Sequence, residues 1–154
     1  MILITGSSGF IGSNFVNFFI KNKIKFHGLD KKESHYLKFN NFSKINLTDK
    51  KKLEKLFKKI KPNIVIHLAS DSGLNYCHIN NESAFSNNLI STFNLLIMCK
   101  RYKCKKFFFA SSMAVENFNE SLSFYGYTKF ASENLIKFFK KNYQIKGIIA
   151  RFSN

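Results

Sequence analysis

The sequence predicts an α/β domain built on a doubly wound parallel sheet, with helices on both faces in three layers. Three observations carry this. Short, continuous apolar runs such as Ile64-Val65-Ile66 and Phe107-Phe108-Phe109 read as strands buried on both faces. Stretches with helical apolar spacing alternate with those runs along the chain. A glycine-rich turn from Gly6 to Gly12 joins the first run to the first such stretch.

The elements follow in order. Ile2 to Thr5 is a short apolar strand that stops at Gly6. Phe10, Ile11, Phe15, Phe18 and Phe19 then recur at helical spacing. Ile24 to Asp30 reads as a second strand, and a weak third lies near Phe42 to Ile45. Thr48 is the expected cap of a helix with Leu53, Leu56, Phe57 and Ile60 on one face. Pro62 separates that helix from the strand Ile64 to Ala69. Phe85, Leu89, Phe93 and Leu96 mark a long helix, and Lys106 to Ala110 another buried strand. Ala131, Leu135, Phe138 and Phe139 mark a last helix before a final strand, Gly147 to Arg151.

With 154 residues, 45% of them hydrophobic, the chain suits one domain, residues 1–154, with its own core. One proline and seven glycines leave little linker material. The 25 basic residues against nine acidic ones give a net charge of +16, which raises nucleic-acid binding as a reading. The lysines are scattered over helix faces and turns, Lys50 to Lys61 and Lys137 to Lys141, rather than gathered in one stripe. A solvated basic surface accounts for them without a specific nucleic-acid partner. Cys77, Cys99 and Cys104 include no Cys-x-x-Cys pair, so neither a disulfide framework nor a zinc site is expected. His27, His35, His67 and His78 are not at metal-ligand spacings, and no metal is expected. No apolar run is long enough to span a membrane, and a reducing cytoplasm is the expected compartment.

The glycine turn carries the first functional reading. Gly6 permits a sharp turn off the strand, Gly9 lets the backbone approach a pyrophosphate, and Gly12 lets the helix pack closely on the sheet. The opening amides of the helix then face the phosphates. The alternative is an ordinary glycine-rich strand–helix connection. Asp30 closes the second strand, where a carboxylate can accept hydrogen bonds from adenosine ribose hydroxyls and would repel a 2′-phosphate. NAD is therefore expected over NADP, although Lys31 and Lys32 follow at once and could accommodate a phosphate.

At Thr5-Gly6-x-x-Gly9-x-x-Gly12 the chain resembles the extended short-chain dehydrogenase/reductase family, in its NAD-dependent epimerase/dehydratase branch. The resemblance continues in order. It implies a Rossmann domain in which Gly6, Gly9, Phe10, Ile11, Gly12 and Asp30 bind the cofactor. Asn46 and Leu47 sit where the family contacts adenine, with Asn46 in place of the usual Asp. His67-Leu68-Ala69-Ser70 resembles the strand end that lines the cofactor, which brings in Leu68, Ala69 and Ser70. Asn87 to Thr92 resembles Asn-Val-x-Gly-Thr and makes Asn87 a cofactor neighbour. Ala110 to Val115 resembles the stretch that carries the catalytic Ser, here Ser112, which would also touch substrate. Tyr125-Gly126-Tyr127-Thr128-Lys129 is the Tyr-x-x-x-Lys motif, and Arg151-Phe152-Ser153-Asn154 matches the following strand, with Asn154 as a substrate contact.

Physical chemistry fits these roles. Tyr125 and Lys129 are four apart and share one face of a helix. A free tyrosine titrates near pH 10, so the nearby ammonium and a positive nicotinamide are expected to favour tyrosinate. Tyr125 would then exchange a proton with a hydroxyl as hydride moves, Ser112 would orient the reacting oxygen, and Lys129 would hold the nicotinamide ribose. A surface helix pair and a strand-end serine are the plain alternatives.

The resemblance thus implies a nucleotide-sugar epimerase or dehydratase using NAD, with a reductase of the same family as the alternative. Dehydratases commonly carry acidic residues beside the catalytic Ser; Met113 and Ala114 do not supply them, and Glu116 is the nearest candidate. Relatives run to about twice this length and carry a C-terminal substrate lobe that this sequence lacks. A non-catalytic dinucleotide-binding fragment therefore remains a second reading. An uncovered sheet edge would favour a partner, with a homodimer among the candidates.

Overall fold

The computed structural model describes residues 1–34, 39–116 and 123–153. Six strands, β1 (Ile2–Thr5), β2 (Phe26–Asp30), β3 (Phe42–Lys44), β4 (Ile64–His67), β5 (Lys106–Ser112) and β6 (Lys146–Phe152), form one sheet. All pair in parallel, in the order β3-β2-β1-β4-β5-β6. The chain runs outward from β1 through β2 to β3, then crosses to β4 on the other side of β1. This reversal opens a crevice at the carboxyl ends of β1 and β4, the usual ligand position in such sheets. Thr5 is in register with Leu29 on one side and His67 on the other.

Side chains alternate across the sheet, and the core divides accordingly. Leu3, Leu29, Val65, Phe107 and Phe109 enter one cluster, while Ile4, Phe26 and Ile66 enter the other. Helix α1 (Phe10–Lys21) covers the second face. Helices α2 (Lys50–Ile60), α5 (Ser91–Arg101) and α6 (Phe124–Tyr143) cover the first.

Several helix details differ from expectation. In α1 the buried line is Gly12, Val16 and Phe19, whereas Phe10 is 79% and Phe18 56% exposed. The close approach of Gly12 to the glycine turn sets that face, and bulky apolar residues alone did not reveal it. Helix α2 buries Leu53, Leu56 and Phe57 as expected, but its cap is Asp49 and not Thr48. Asp49 Oδ1 accepts from the Lys52 amide at 3.0 Å, while the Thr48 amide donates to Asn46 Oδ1 in the preceding turn.

After β4 come two short helices that the sequence reading missed or merged, α3 (Leu74–Ile79) and α4 (Asn81–Ala84). A π-helical turn over Phe85–Ile90 then leads into α5. Each wider π turn shifts the facing residues, so the expected Phe85-Leu89-Phe93-Leu96 stripe does not form. Phe85 is exposed, and the buried line runs through Ala84, Asn88, Ser91, Thr92 and Leu95.

Helix α6 begins at Phe124, capped by Ser123 Oγ accepting from the Gly126 amide at 3.0 Å. Its buried face is Gly126, Thr128, Lys129, Ser132, Glu133, Ile136 and Phe139. Phe138 points outward, and Ala131 and Leu135 lie at the margin. Strand β5 runs two residues further than expected, to Ser112. Among the described residues, no helix is long and apolar enough to cross a membrane, and no group of three His, Cys, Asp or Glu could hold a metal. His35 and Asn154 lie outside the described residues.

Candidate active site

The three glycines of the first turn have different reasons to be glycine. Gly6 has φ 70°, and a Cβ there would meet the Ala69 amide nitrogen at 2.6 Å. A Cβ on Gly12 would lie 2.0 Å from the Gly6 carbonyl oxygen. Gly9 is unlike both: its backbone is ordinary extended chain, φ −76° and ψ 174°, and an added Cβ meets only the Gly6 oxygen at 3.4 Å. The fold does not require a bare residue at Gly9. Its bareness leaves room in front of the α1 N-terminus for something outside the chain, which fits a phosphate-bearing cofactor.

A cleft opens over this turn. Its floor includes Gly6, Ser8 and Gly9. One wall carries Leu29, Asp30 and Lys31 from the end of β2, with Ile45, Asn46 and Leu47 behind them. The other wall carries Leu68, Ala69, Ser70 and Asp71 after β4, with Asn87 and Ser91 from the helix beyond. The structure therefore brings Gly6, Gly9, Asp30, Asn46, Leu47, Leu68, Ala69, Ser70 and Asn87 together around one space. Phe10 and Ile11 open α1 outside that wall, and Gly12 is packed beneath the turn. Lys129 is buried and does not line it.

Asp30 is fixed at the cleft by backbone donors. Oδ2 accepts from the Ser8 amide at 3.0 Å and Oδ1 from the Lys32 amide at 3.1 Å. Asn87 and Asn88 divide the labour on the opposite wall. Asn88 is 3% exposed and spent on structure: Oδ1 accepts from the Asp71 amide and Ser70 Oγ, and Nδ2 donates to Asp71 O and Thr128 Oγ1. Asn87 faces the cleft and donates to Asp71 Oδ2 at 2.7 Å. Sequence reasoning passed over Leu29, Ile45, Asp71 and Ser91. Leu29 adjoins Asp30 near the end of β2 and Asp71 adjoins Ser70 after β4, and that adjacency to named residues was the available signal.

The proposed proton-transfer residues meet beside a second hollow, lined by Ser72, Gly73, Ser112, Met113, Glu116 and Tyr125, among others. Ser112 ends β5, and its Oγ accepts from the Ala114 amide at 3.2 Å. Tyr125 and Lys129 lie one turn apart on α6, with Lys129 Nζ 5.6 Å from the Tyr125 ring centre. Lys129 is 4% exposed and donates to the Ala110 carbonyl at 2.8 Å. Burial lowers its pKa to about 8.

In the chain alone the pKa of Tyr125 is raised: burial pushes it up, and a hydrogen bond with Ser112 only partly opposes this. The physical reason is that phenolate loses water at this position, while the ammonium below is itself desolvated and turned to the Ala110 carbonyl. Within the chain alone, Tyr125 keeps its proton at neutral pH.

Two buried polar networks hold these residues. His67 Nδ1 lies 2.7 Å from Thr5 Oγ1 and Nε2 lies 2.9 Å from Thr92 Oγ1. Thr92 gives its own hydroxyl proton to Asn88 O at 2.6 Å, so His67 donates from Nε2 and accepts at Nδ1. Burial, reinforced by the charge of Lys129, lowers the His67 pKa to about 3. The second network joins Glu133 of α6 to Ser111 of β5 and Arg151 of β6. Sequence reasoning missed Glu133; the continuation of the four-residue spacing from Tyr125 through Lys129 was its signal.

Residues 2–154 match the sequence pattern of the family described as NAD dependent epimerase/dehydratase. The chain belongs to that family. Among relatives, the dTDP-D-glucose 4,6-dehydratase of Dictyostelium discoideum is 32% identical over 99% of this chain and 43% of its own length. The UDP-glucose 4-epimerase of Thermotoga maritima, solved with UDP-glucose, superposes with a TM-score of 0.90 at 27% identity. The Thermus thermophilus UDP-glucose 4-epimerase, solved with NAD, gives a TM-score of 0.87 at 27% identity. Both structural matches cover 97% of this chain and 54% of the other. The chain thus spans about half the length of the relatives it matches.

Proposed function

We propose that this chain is the cofactor-binding and proton-transferring part of a nucleotide-sugar epimerase, with a dehydratase as the second reading. One observation carries the proposal: Ser112 and Tyr125 line one hollow and the Lys129 ammonium lies 5.6 Å from the Tyr125 ring centre, although the three come from two elements and stand 17 positions apart from first to last. Bound NAD would supply a hydride acceptor and a positively charged ring.

The chain's own residues would do the rest. The α1 N-terminus and the space in front of Gly9 would receive the pyrophosphate. Asp30, held by two amides, would accept from the adenosine ribose hydroxyls. Ser112 Oγ would hold the reacting sugar oxygen against Tyr125 Oη, which would take the hydroxyl proton and later return it. The raised pKa of Tyr125 means that this step depends on positive charge brought in beside it. Lys129 would supply part of that charge, and its ammonium has donors beyond the one that Ala110 takes.

The dehydratase reading ranks second because Met113 and Ala114, which follow Ser112, are not acidic and because Glu116 is already paired with Arg151 at 3.4 Å. The test is titration of the chain with NADH, followed by nicotinamide fluorescence. Saturable enhancement is expected for the wild type and its loss in Gly9→Val, whose Cβ enters the space before the helix and meets only the Gly6 carbonyl oxygen, at 3.4 Å. Equal signals from the two proteins overturn the cofactor site. Loaded protein carrying Tyr125→Phe should then fail to reduce bound NAD with UDP-glucose or dTDP-glucose while still binding NADH.

A further inference from the structure

One ion pair crosses the cleft. Lys31 follows Asp30 at the end of β2, and Asp71 lies beyond β4; the glycine turn after β1 stands between them. Lys31 Nζ nonetheless reaches Asp71 Oδ1 at 2.9 Å. Asp71 is a fixed anchor. Its Oδ2 accepts from Asn87 Nδ2 at 2.7 Å and Ser83 Oγ at 3.2 Å. The Asn88 side chain holds its backbone amide and carbonyl at 2.7 and 3.1 Å. The Asp71 side chain is only 9% exposed, against 44% for Lys31. Lys31 is therefore the partner that has been drawn over.

Asp30 and Lys31 make opposite demands on a dinucleotide. A carboxylate at the strand end repels an adenosine 2′-phosphate, whereas an ammonium on the next residue attracts one. The cross-cleft pair resolves the conflict, because it occupies the Lys31 charge with an anion the protein already owns.

We propose that Asp71 is a cofactor-specificity residue: by holding Lys31 across the cleft, it removes the cation that would otherwise receive a 2′-phosphate, and the site takes the dinucleotide with a free 2′-hydroxyl. This rests on the dinucleotide reading above and deepens it. Asp71 acts through Lys31, so its effect must vanish when Lys31 is absent. Lys32, the other lysine among the described residues that line the cleft, is anchored through its backbone, with its amide on Asp30 and its carbonyl accepting from Ser8 Oγ at 2.8 Å.

The experiment measures NADH and NADPH affinities by fluorescence for the wild type, D71N, K31A, K32A, D71N/K31A and D71N/K32A. The wild type should prefer NADH. D71N should narrow the NADH-to-NADPH ratio by about fivefold, the scale of one partly exposed ion pair. D71N/K31A should restore the wild-type ratio, D71N/K32A should stay narrowed, and K31A alone should not narrow it. An unchanged ratio in D71N overturns the inference. So does a gain that survives K31A, which would reflect mere loss of a negative charge, or one that disappears with K32A. Asp71→Ser, which keeps the backbone clamp from Asn88, repeats the measurement should D71N unfold. Failure of the wild type to bind either dinucleotide overturns the cofactor reading and this inference together; NADH binding with no D71N effect overturns this inference alone.

Discussion

Arg151 grips Glu133 through two parallel bonds, Nε to Oε1 at 2.9 Å and Nη2 to Oε2 at 2.9 Å. Ser111 Oγ donates to the same carboxylate at 2.6 Å. Because Ser111 is in register with Arg151, one buried side chain of α6 fastens that helix to both β5 and β6. Ser112 follows Ser111, and Tyr125 and Lys129 precede Glu133 on α6. The bond geometry thus sets the spacing of the three proposed proton-transfer residues.

This arrangement predicts an asymmetry. Glu133 is 1% exposed, so Arg151→Met leaves a buried carboxylate without its cation and should cost about 3 kcal/mol. Glu133→Gln removes the charge itself and should cost less, about 1 kcal/mol. Burial raises the Glu133 pKa, but the bonds from Arg151 and Ser111 outweigh it and the net shift is downward. Its contribution is therefore present above the ordinary glutamate value and disappears as pH falls through the lower folded value. Urea unfolding of the two variants checks the order; equal midpoints would contradict it.

The glycine turn predicts a separation of stability from binding. Gly12→Ala places a methyl 2.0 Å from the Gly6 carbonyl oxygen, which must move the backbone. A loss of about 3 kcal/mol is expected, at the upper end for overpacking. Gly9→Ala meets nothing nearer than 3.4 Å and should stay within about 1 kcal/mol of wild type. Thermal unfolding compares them, and a large loss in Gly9→Ala would mean that the fold, and not a ligand, requires that glycine.

The parallel sheet was legible because its strands are apolar on both faces, and Phe107 to Phe109 or Ile64 to Ile66 admit few other readings. The walls of the cleft were legible for a related reason: strand ends and the glycine turn occupy fixed places in such a sheet. Helix faces were not. Asn88, Ser91, Thr92, Thr128, Ser132 and Glu133 are buried polar residues, and apolar periodicity is blind to them. The π-helical turn at 85–90 then rotated the face further. The upward shift of Tyr125 was also out of reach, because desolvation depends on neighbours that a sequence does not place.

His67 predicts acid sensitivity. It is 1% exposed, and its pKa of about 3 in the fold contrasts with about 6.5 in an unfolded chain. Between those values the unfolded state binds a proton that the folded state refuses, so stability falls as pH drops below 6.5. From pH 6.5 to 5 the loss should be about 2 kcal/mol. His27, also lowered, chiefly by burial, adds to it with the same sign. His67→Gln can keep bonds to Thr5 and Thr92 without a titrating group, and should flatten most of the slope. Urea midpoints at pH 6.5 and 5 decide this, and an unchanged slope in His67→Gln would remove His67 as the cause.

Lys129 predicts a conflict between stability and function. Its ammonium is buried among Ala110, Phe109 and Tyr125, with a hydrogen bond to the Ala110 carbonyl and, among the described residues, no carboxylate in an ion pair with it. The folded pKa of about 8 lies below the ordinary lysine value of 10.5. Below pH 8 the folded state must carry a charge it disfavours. From pH 8 to 10.5 the unfolded state binds the extra proton, and stability rises with pH as that burden is lifted. Lys129→Met keeps the volume and removes the charge, so it should stabilise the protein by about 2 kcal/mol at pH 7. The advantage should shrink as pH approaches 10. Because Tyr125 titrates in both proteins, the difference between their urea midpoints at pH 7 and pH 10 isolates Lys129. A variant that is less stable at pH 7 would show that the Ala110 bond outweighs the cost of burying the ammonium. The expected gain, coupled with loss of any proton transfer at Tyr125, would mark Lys129 as a residue kept for chemistry at the expense of the fold.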